Sequence, residues 1–187
     1  MESVLKKFPK HKRRYSDFTM LTKSTRDDLI AAGAILSDLG MSTEDYSKSL
    51  LNLTKSMGMG PTGAAQAMIN LEKFARDLGV PFNQLSSDFA SISSQLAKLG
   101  SNGEVAFRRL AITSKATGLS MERLLAITNK FDTFEGAATA AGKLNAALGG
   151  NFVNSMDLMM ATDPVDRFNM IRDAIDNAGL SFDTMGY

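Results

Sequence analysis

The sequence predicts an all-α protein, an array or bundle of about eight to nine short helices joined by tight, glycine-terminated turns. Three observations predict it. Apolar residues recur at helical spacing through most of the chain. Ser, Thr or Asp stands before these stretches and Gly stands after them, as at capped helix ends. No segment shows the sustained period-two alternation, rich in β-branched residues, that marks a strand.

The chain opens on a basic arm, positions 1–23. Between Met1 and Arg14, the cations Lys6, Lys7, Lys10, Lys12, Arg13 and Arg14 face only Glu2, a local charge of +5 that leaves −4 for the rest. The arm has neither the continuous apolar run nor the small-residue cleavage site of a signal peptide. It reads as a solvated, disordered terminus, with electrostatic contact to nucleic acid, lipid headgroups or an acidic protein as the functional alternative. Tyr15 and Phe18 follow the basic run without interleaving with it, so no stacking platform for single strands is formed.

A helical array is expected over positions 24–131. Ser24-Thr-Arg-Asp27, Ser42-Thr-Glu-Asp45 and Ser101-Asn-Gly-Glu104 resemble capping boxes, in which a hydroxyl and a carboxylate satisfy the first free N–H groups of a helix. Residues 64–78 place Ala64, Ala67, Met68, Leu71, Ala75 and Leu78 on one face. Residues 105–116 do so with Phe107, Leu110, Ala111 and Ser114, and residues 121–131 with Met121, Leu124, Leu125, Thr128 and Phe131. Stops are expected at Gly40, Gly58, Gly79, Gly100, Gly118, Gly149 and Gly179. Four of them, Gly40, Gly79, Gly118 and Gly179, continue with an apolar residue and then Ser or Pro. Gly40, Gly79 and Gly118 are evenly spaced, at the interval of a helical-hairpin repeat. Gly179 breaks that interval, so an array of short helices accounts for the pattern without a repeat family.

From residue 132 to 187 the chain turns Ala- and Gly-rich while remaining continuous with the array. Asp132 and Glu135 fit a capping box for a helix over 134–148. Ala138, Gly142 and Ala146 form a small-residue stripe on it, beside Ala137, Ala141 and Leu144. Small residues let helix backbones approach closely, inside the chain or against another subunit. Asp163 before Pro164 marks the start of a last helix, whose face carries Phe168, Ile171, Ile175 and Ala178. Most of the 12 Met residues suit a core, while Met156, Met159 and Met160 are candidates to line a groove for a partner helix. Helix should occupy roughly 70% of the chain, well above the usual third, in segments of about 12 to 18 residues.

Composition narrows function mainly by exclusion. With 187 residues, 44% apolar and 22% charged, the chain can bury a core and is not of disordered composition. The absence of Cys removes thiol nucleophiles, disulfides and Cys-ligated metal sites. The single His, His11, stands in the arm without metal-ligand partners. No apolar run reaches the ~18–20 residues of a membrane span. Gly58-Met-Gly60-Pro-Thr-Gly63 lacks the Lys-Ser/Thr of a P-loop and follows no strand, so it reads as a helix-to-helix turn. Asp157, Asp163 and Asp166 lie close in sequence, but capping and first-turn placement explain Asp163 and Asp166, and no carboxylate is left needing a catalytic role. No catalytic, cofactor-binding or metal-binding residues are expected.

The C-terminal part of the chain, from about position 105 onward, carries a further signal. Ala116-Thr-Gly-Leu-Ser-Met-Glu-Arg-Leu-Leu125 runs into Phe131-Asp-Thr-Phe-Glu-Gly-Ala-Ala138, then Ala141-Gly-Lys-Leu-Asn-Ala-Ala-Leu-Gly-Gly150 and Met159-Met-Ala-Thr-Asp-Pro164, closing with Ile171-Arg-Asp and Gly179-Leu-Ser-Phe-Asp-Thr-Met185. This ordered succession resembles a helical region of bacteriophage tail tape measure proteins and similar virion structural proteins. The resemblance implies a non-enzymatic structural role in setting tail length, in tail assembly and in DNA ejection. The implied partners are other tail or virion proteins or further copies of the chain, and the implied location is the virion, after synthesis in the host cytoplasm. Family members are much longer chains, whereas this sequence stops at Met185-Gly-Tyr187, so the resemblance implies a fragment, a truncated reading frame or a separately encoded piece. The alternative is a small helical adaptor that binds nucleic acid or an acidic partner through its basic arm, although a body summing to −4 does not favour it.

Overall fold

The computed structural model describes residues 20–180, so the arm cations Lys6, Lys7, Lys10, Lys12, Arg13 and Arg14, as well as His11 and the closing Met185-Gly-Tyr187, lie outside the described residues. The fold is all-α, as expected: helix accounts for 81% of the described residues, and no strand occurs among them. By internal contacts the chain divides into two units, one reaching to Phe107 and the other starting at Arg108. The Ala/Gly-rich shift near residue 132 falls inside the second.

The first unit contains α1 (Lys23–Asp38), α2 (Thr43–Leu51), a π turn (Asn52–Ser56), α3 (Pro61–Leu78), α4 (Phe82–Leu96), a 3-10 segment (Ala97–Asn102) and the start of α5 (Gly103–Thr117). α1 packs on α3, α2 on α4, and α3 on α4. The expected stripe of α3 is buried at Ala64, Met68, Leu71 and Ala75, with Ala65 added, while Ala67 and Leu78 are half-buried. Phe89 of α4 meets Phe107 of α5 edge to face, with ring centroids 4.8 Å apart and planes at 81°, a favoured aromatic geometry.

Small and polar side chains let these helices come close. Gly33 of α1 faces Tyr46 of α2, where a Cβ would meet the ring at 3.0 Å, and the Tyr46 hydroxyl donates to the Leu29 carbonyl at 2.7 Å. Ser49 of α2 and Ser86 and Ser93 of α4 are fully buried. The Asn52 amide donates to Ser93 Oγ at 2.6 Å, whereas Ser49 Oγ has no partner among the described residues.

The second unit contains the rest of α5, α6 (Met121–Thr128), a 3-10 turn (Asn129–Phe131), α7 (Phe134–Leu148), α8 (Ser155–Met160) and α9 (Pro164–Asn177). α6 packs on α9, and α7 on α8. Met121, Leu124, Leu125, Thr128 and Phe131, expected on one face, are all buried. A core of Phe131, Ala137, Ala141, Val153, Leu158, Ile171, Ala174 and Ile175 joins α7, α8 and α9.

All seven expected stop glycines have positive φ, and no other described residue does. At Gly79 (φ 69°, ψ 41°) the backbone is left-handed, a region a Cβ disfavours. The residue after such a stop does turn back in the expected way at Gly40, where the Met41 N–H reaches the Leu36 carbonyl at 2.9 Å and Met41 is buried.

Helix starts depart from expectation in three places. α1 is capped by Thr22, whose Oγ accepts from the Thr25 N–H at 3.2 Å, so Ser24 lies inside the first turn. Ser101 belongs to the 3-10 segment, and α5 opens at Gly103. α7 is capped by Thr133, with Oγ accepting from the Gly136 N–H at 3.1 Å, instead of by Asp132. At α1 and α7 several capping-competent residues are adjacent, and the one with extended φ/ψ caps the helix, Thr22 and Thr133 respectively. The other starts agree: Ser42 Oγ accepts from the Asp45 N–H at 3.0 Å, and Asp163 Oδ1 accepts from the Val165 N–H at 2.8 Å. Helices α2, α6 and α8 are shorter than expected, at 9, 8 and 6 residues.

Candidate functional site

α7 organises the surface of the second unit. Its sequence is nearly all small residues, so three sides differ more by position than by chemistry. Ala137 and Ala141 form the buried side. Ala138, Gly142 and Ala146, the expected close-packing stripe, are exposed instead, and nothing lies within 4 Å of a Cβ built on Gly142. The helix therefore packs internally through the neighbouring stripe, one residue out of phase, and presents the expected one to solvent.

The third side of α7 forms one wall of an open groove of about 780 Å³. Gly136, Ala140, Lys143, Leu144 and Ala147 line that wall. Ile127, Lys130 and Phe131 come from the end of α6 and the turn after it, and Ile171 comes from α9. Gly136 sets how closely the walls approach. A Cβ there would stand 2.5 Å from the Lys130 carbonyl oxygen, so only glycine lets the first turn of α7 press against the 3-10 turn.

Two arginines hold these elements in place. Arg167 of α9 is 6% exposed. Its Nε donates to the Leu158 carbonyl at 2.8 Å and its Nη1 to the Thr128 carbonyl at 3.0 Å, while Nη2 reaches the Met159 carbonyl at 3.3 Å. Nη1 also pairs with the Asp132 carboxylate. Thr128 ends α6, and Leu158 and Met159 stand near the end of α8, and carbonyls at helix ends attract a cation. One guanidinium therefore closes two helix ends and fixes the turn that carries Lys130 and Phe131. Asp132, expected as part of a capping box, is its counter-charge.

Arg109 of α5 joins α5 to α9. Its Nη1 meets Asp163 Oδ2 at 2.6 Å and its Nη2 meets Asp166 Oδ1 at 2.5 Å. The hydrogen bond to Asp166 holds the Arg109 pKa above its already high ordinary value, against some desolvation and with help from the Asp163 charge. Asp163 thus serves both as helix cap and as ion-pair partner, so capping alone does not account for these carboxylates.

The loop after α7 is tied back by Asn145. Its Oδ1 accepts from the N–H groups of Phe152 (3.0 Å) and Val153 (2.8 Å), and its Nδ2 donates to the Val153 carbonyl at 2.8 Å. The methionine candidates separate: Met159 is half-buried against the core, whereas Met156 and Met160 are 44% and 73% exposed. None of the three lines the groove.

Sequence reasoning missed Arg167, although its spacing carried a signal. It stands one helical turn before Ile171, on the apolar side of α9. Among the described residues no group of three or more acidic or His side chains could hold a metal ion, and no helix is long and apolar enough to cross a membrane. Compared with protein-family models, with curated proteins and with solved structures, the chain matches none.

Proposed function

We propose that this chain is a non-enzymatic segment of a phage virion structural protein, similar to part of a tail tape measure protein, and that it works by packing against other protein chains. The observation that carries this reading is the ordered succession of residues from Ala116 to Met185. The surface of α7 is consistent with it. One side of that helix is committed to the core, one lines a groove, and one offers small residues for close approach. Such a protein would be made in the bacterial cytoplasm and built into the tail, where it meets other tail proteins or further copies of itself.

The test is to read the coding frame beyond both ends of the chain and to search purified virions from the same source by mass spectrometry. The reading expects a long helical frame beside tail genes, and peptides such as that of positions 131–143 in the particles. A frame among genes unrelated to virions, together with particles lacking these peptides, would overturn it.

A further inference from the structure

The groove along α7 is both apolar and electrically marked. Its floor is formed by Ile127, Phe131 and Ile171, and Ala140 and Ala147 on the α7 wall carry only methyl groups. Two cations stand on opposite walls: Lys130 on the turn after α6, and Lys143 on α7. Neither has an ion-pair partner among the described residues, whereas Arg109, Arg167 and Arg172 of the same unit each meet a carboxylate. Glu135 is the only carboxylate in the lining, so the lining carries a net +1. It stands in the first turn of α7, about two turns from Lys143.

We propose that this groove receives an amphipathic helix of a partner protein, its apolar stripe on the groove floor and its carboxylates against Lys130 and Lys143. Small residues on the α7 wall allow a second helix backbone to lie close. A helix laid in a groove is recognised through apolar anchors at i, i+3, i+4 and i+7. The lysines supply polarity: their apolar stems extend the floor while the ammonium groups stay at the rim. The inference deepens the virion reading by naming the partner's chemistry, and it fails separately from it. Virion peptides and reading frame bear on the source protein, whereas the experiment below bears on the groove.

The full 187-residue chain is titrated with two synthetic helical peptides sharing one leucine stripe. One carries Glu on its flanks and the other Lys. The Glu peptide should bind at least tenfold more tightly at low salt. Charge reversal by Lys130→Glu with Lys143→Glu should invert that preference. Ala147→Trp, at an exposed position, should weaken both peptides about tenfold while leaving the circular-dichroism melt unchanged. Equal affinity for the two peptides, binding of neither, or indifference to Ala147→Trp would overturn the proposal. Sedimentation without peptide should show a monomer; a dimer abolished by Ala147→Trp would make a second copy the occupant and overturn it as well.

Discussion

Replacing Arg167 with Met probes the packing of the second unit most sharply. Met keeps the length and much of the apolar stem but removes every donor. The carbonyls of Leu158 and Thr128 lose charge-assisted hydrogen bonds of 2.8 and 3.0 Å, each worth roughly 1.5–3 kcal/mol. The 3.3 Å contact with Met159 adds little. The Asp132 side chain is 35% exposed, so water recovers much of what its carboxylate loses. The expected cost is about 3–5 kcal/mol, within the range seen when one partner of a buried pair is removed. Replacing a whole buried ion pair by apolar groups is often neutral, but three backbone carbonyls cannot be replaced here. Asp132→Asn should cost about 1 kcal/mol or less, because its pairing is partly solvated. Urea unfolding of the full chain gives the magnitudes, and native-state hydrogen exchange gives the place, with protection lost first at α6, α8 and α9. A loss below about 1 kcal/mol for Arg167→Met, with exchange in those helices unchanged, would refute the role assigned to this side chain.

The other expectations concern single sites. Gly142→Ala should raise stability by about 0.5–1 kcal/mol, since the new methyl meets open space on a helix; a lower melting temperature would show that this side of α7 is not free. Gly136→Ala should cost roughly 2–3 kcal/mol, because its Cβ would strike the Lys130 carbonyl, and it should also weaken peptide binding in the groove; unchanged urea unfolding would contradict the close approach. Asp163→Ala removes a cap and half of the Arg109 pairing, so a loss of about 1–2 kcal/mol is expected, shrinking as salt is added; a salt-independent loss would leave the cap as the whole effect. Ser49→Ala should stabilise the first unit by about 1 kcal/mol, as the buried Oγ finds no partner, and a destabilised variant in chemical denaturation would contradict that.

What the sequence revealed and what it hid have physical causes. Gly79 or the Asp163-Pro164 pair needs only its immediate neighbours to act, so a local signal sufficed. The face of 121–131 was legible because large apolar residues there alternate with polar ones. α7 has no such contrast: Ala and Gly occupy both 137/141 and 138/142/146, and side-chain size cannot say which stripe turns inward. Tertiary packing decided it. Arg167 and Asp132 are 35 positions apart, and Arg109 and Asp166 are 57 apart, so no local pattern announces either pair. Asp132 was further masked by Thr133 beside it, since either could cap. The groove was not legible at all, because it exists only where Gly136 lets two walls meet.

The glycine turns bear on how substitutions among relatives of this chain should be read. Gly118 and Gly149 are exposed, and nothing stands within 4 Å of a Cβ built on either. Both nevertheless have φ above 70°, where an ordinary side chain costs roughly 1–2 kcal/mol. Evolution is therefore expected to hold these positions fixed although they touch nothing. An invariant exposed residue is commonly taken as a mark of binding. Here invariance at the turns would record backbone geometry alone, whereas restraint at Lys130, Ala140 or Lys143, which no turn requires, would trace a surface under selection for recognition.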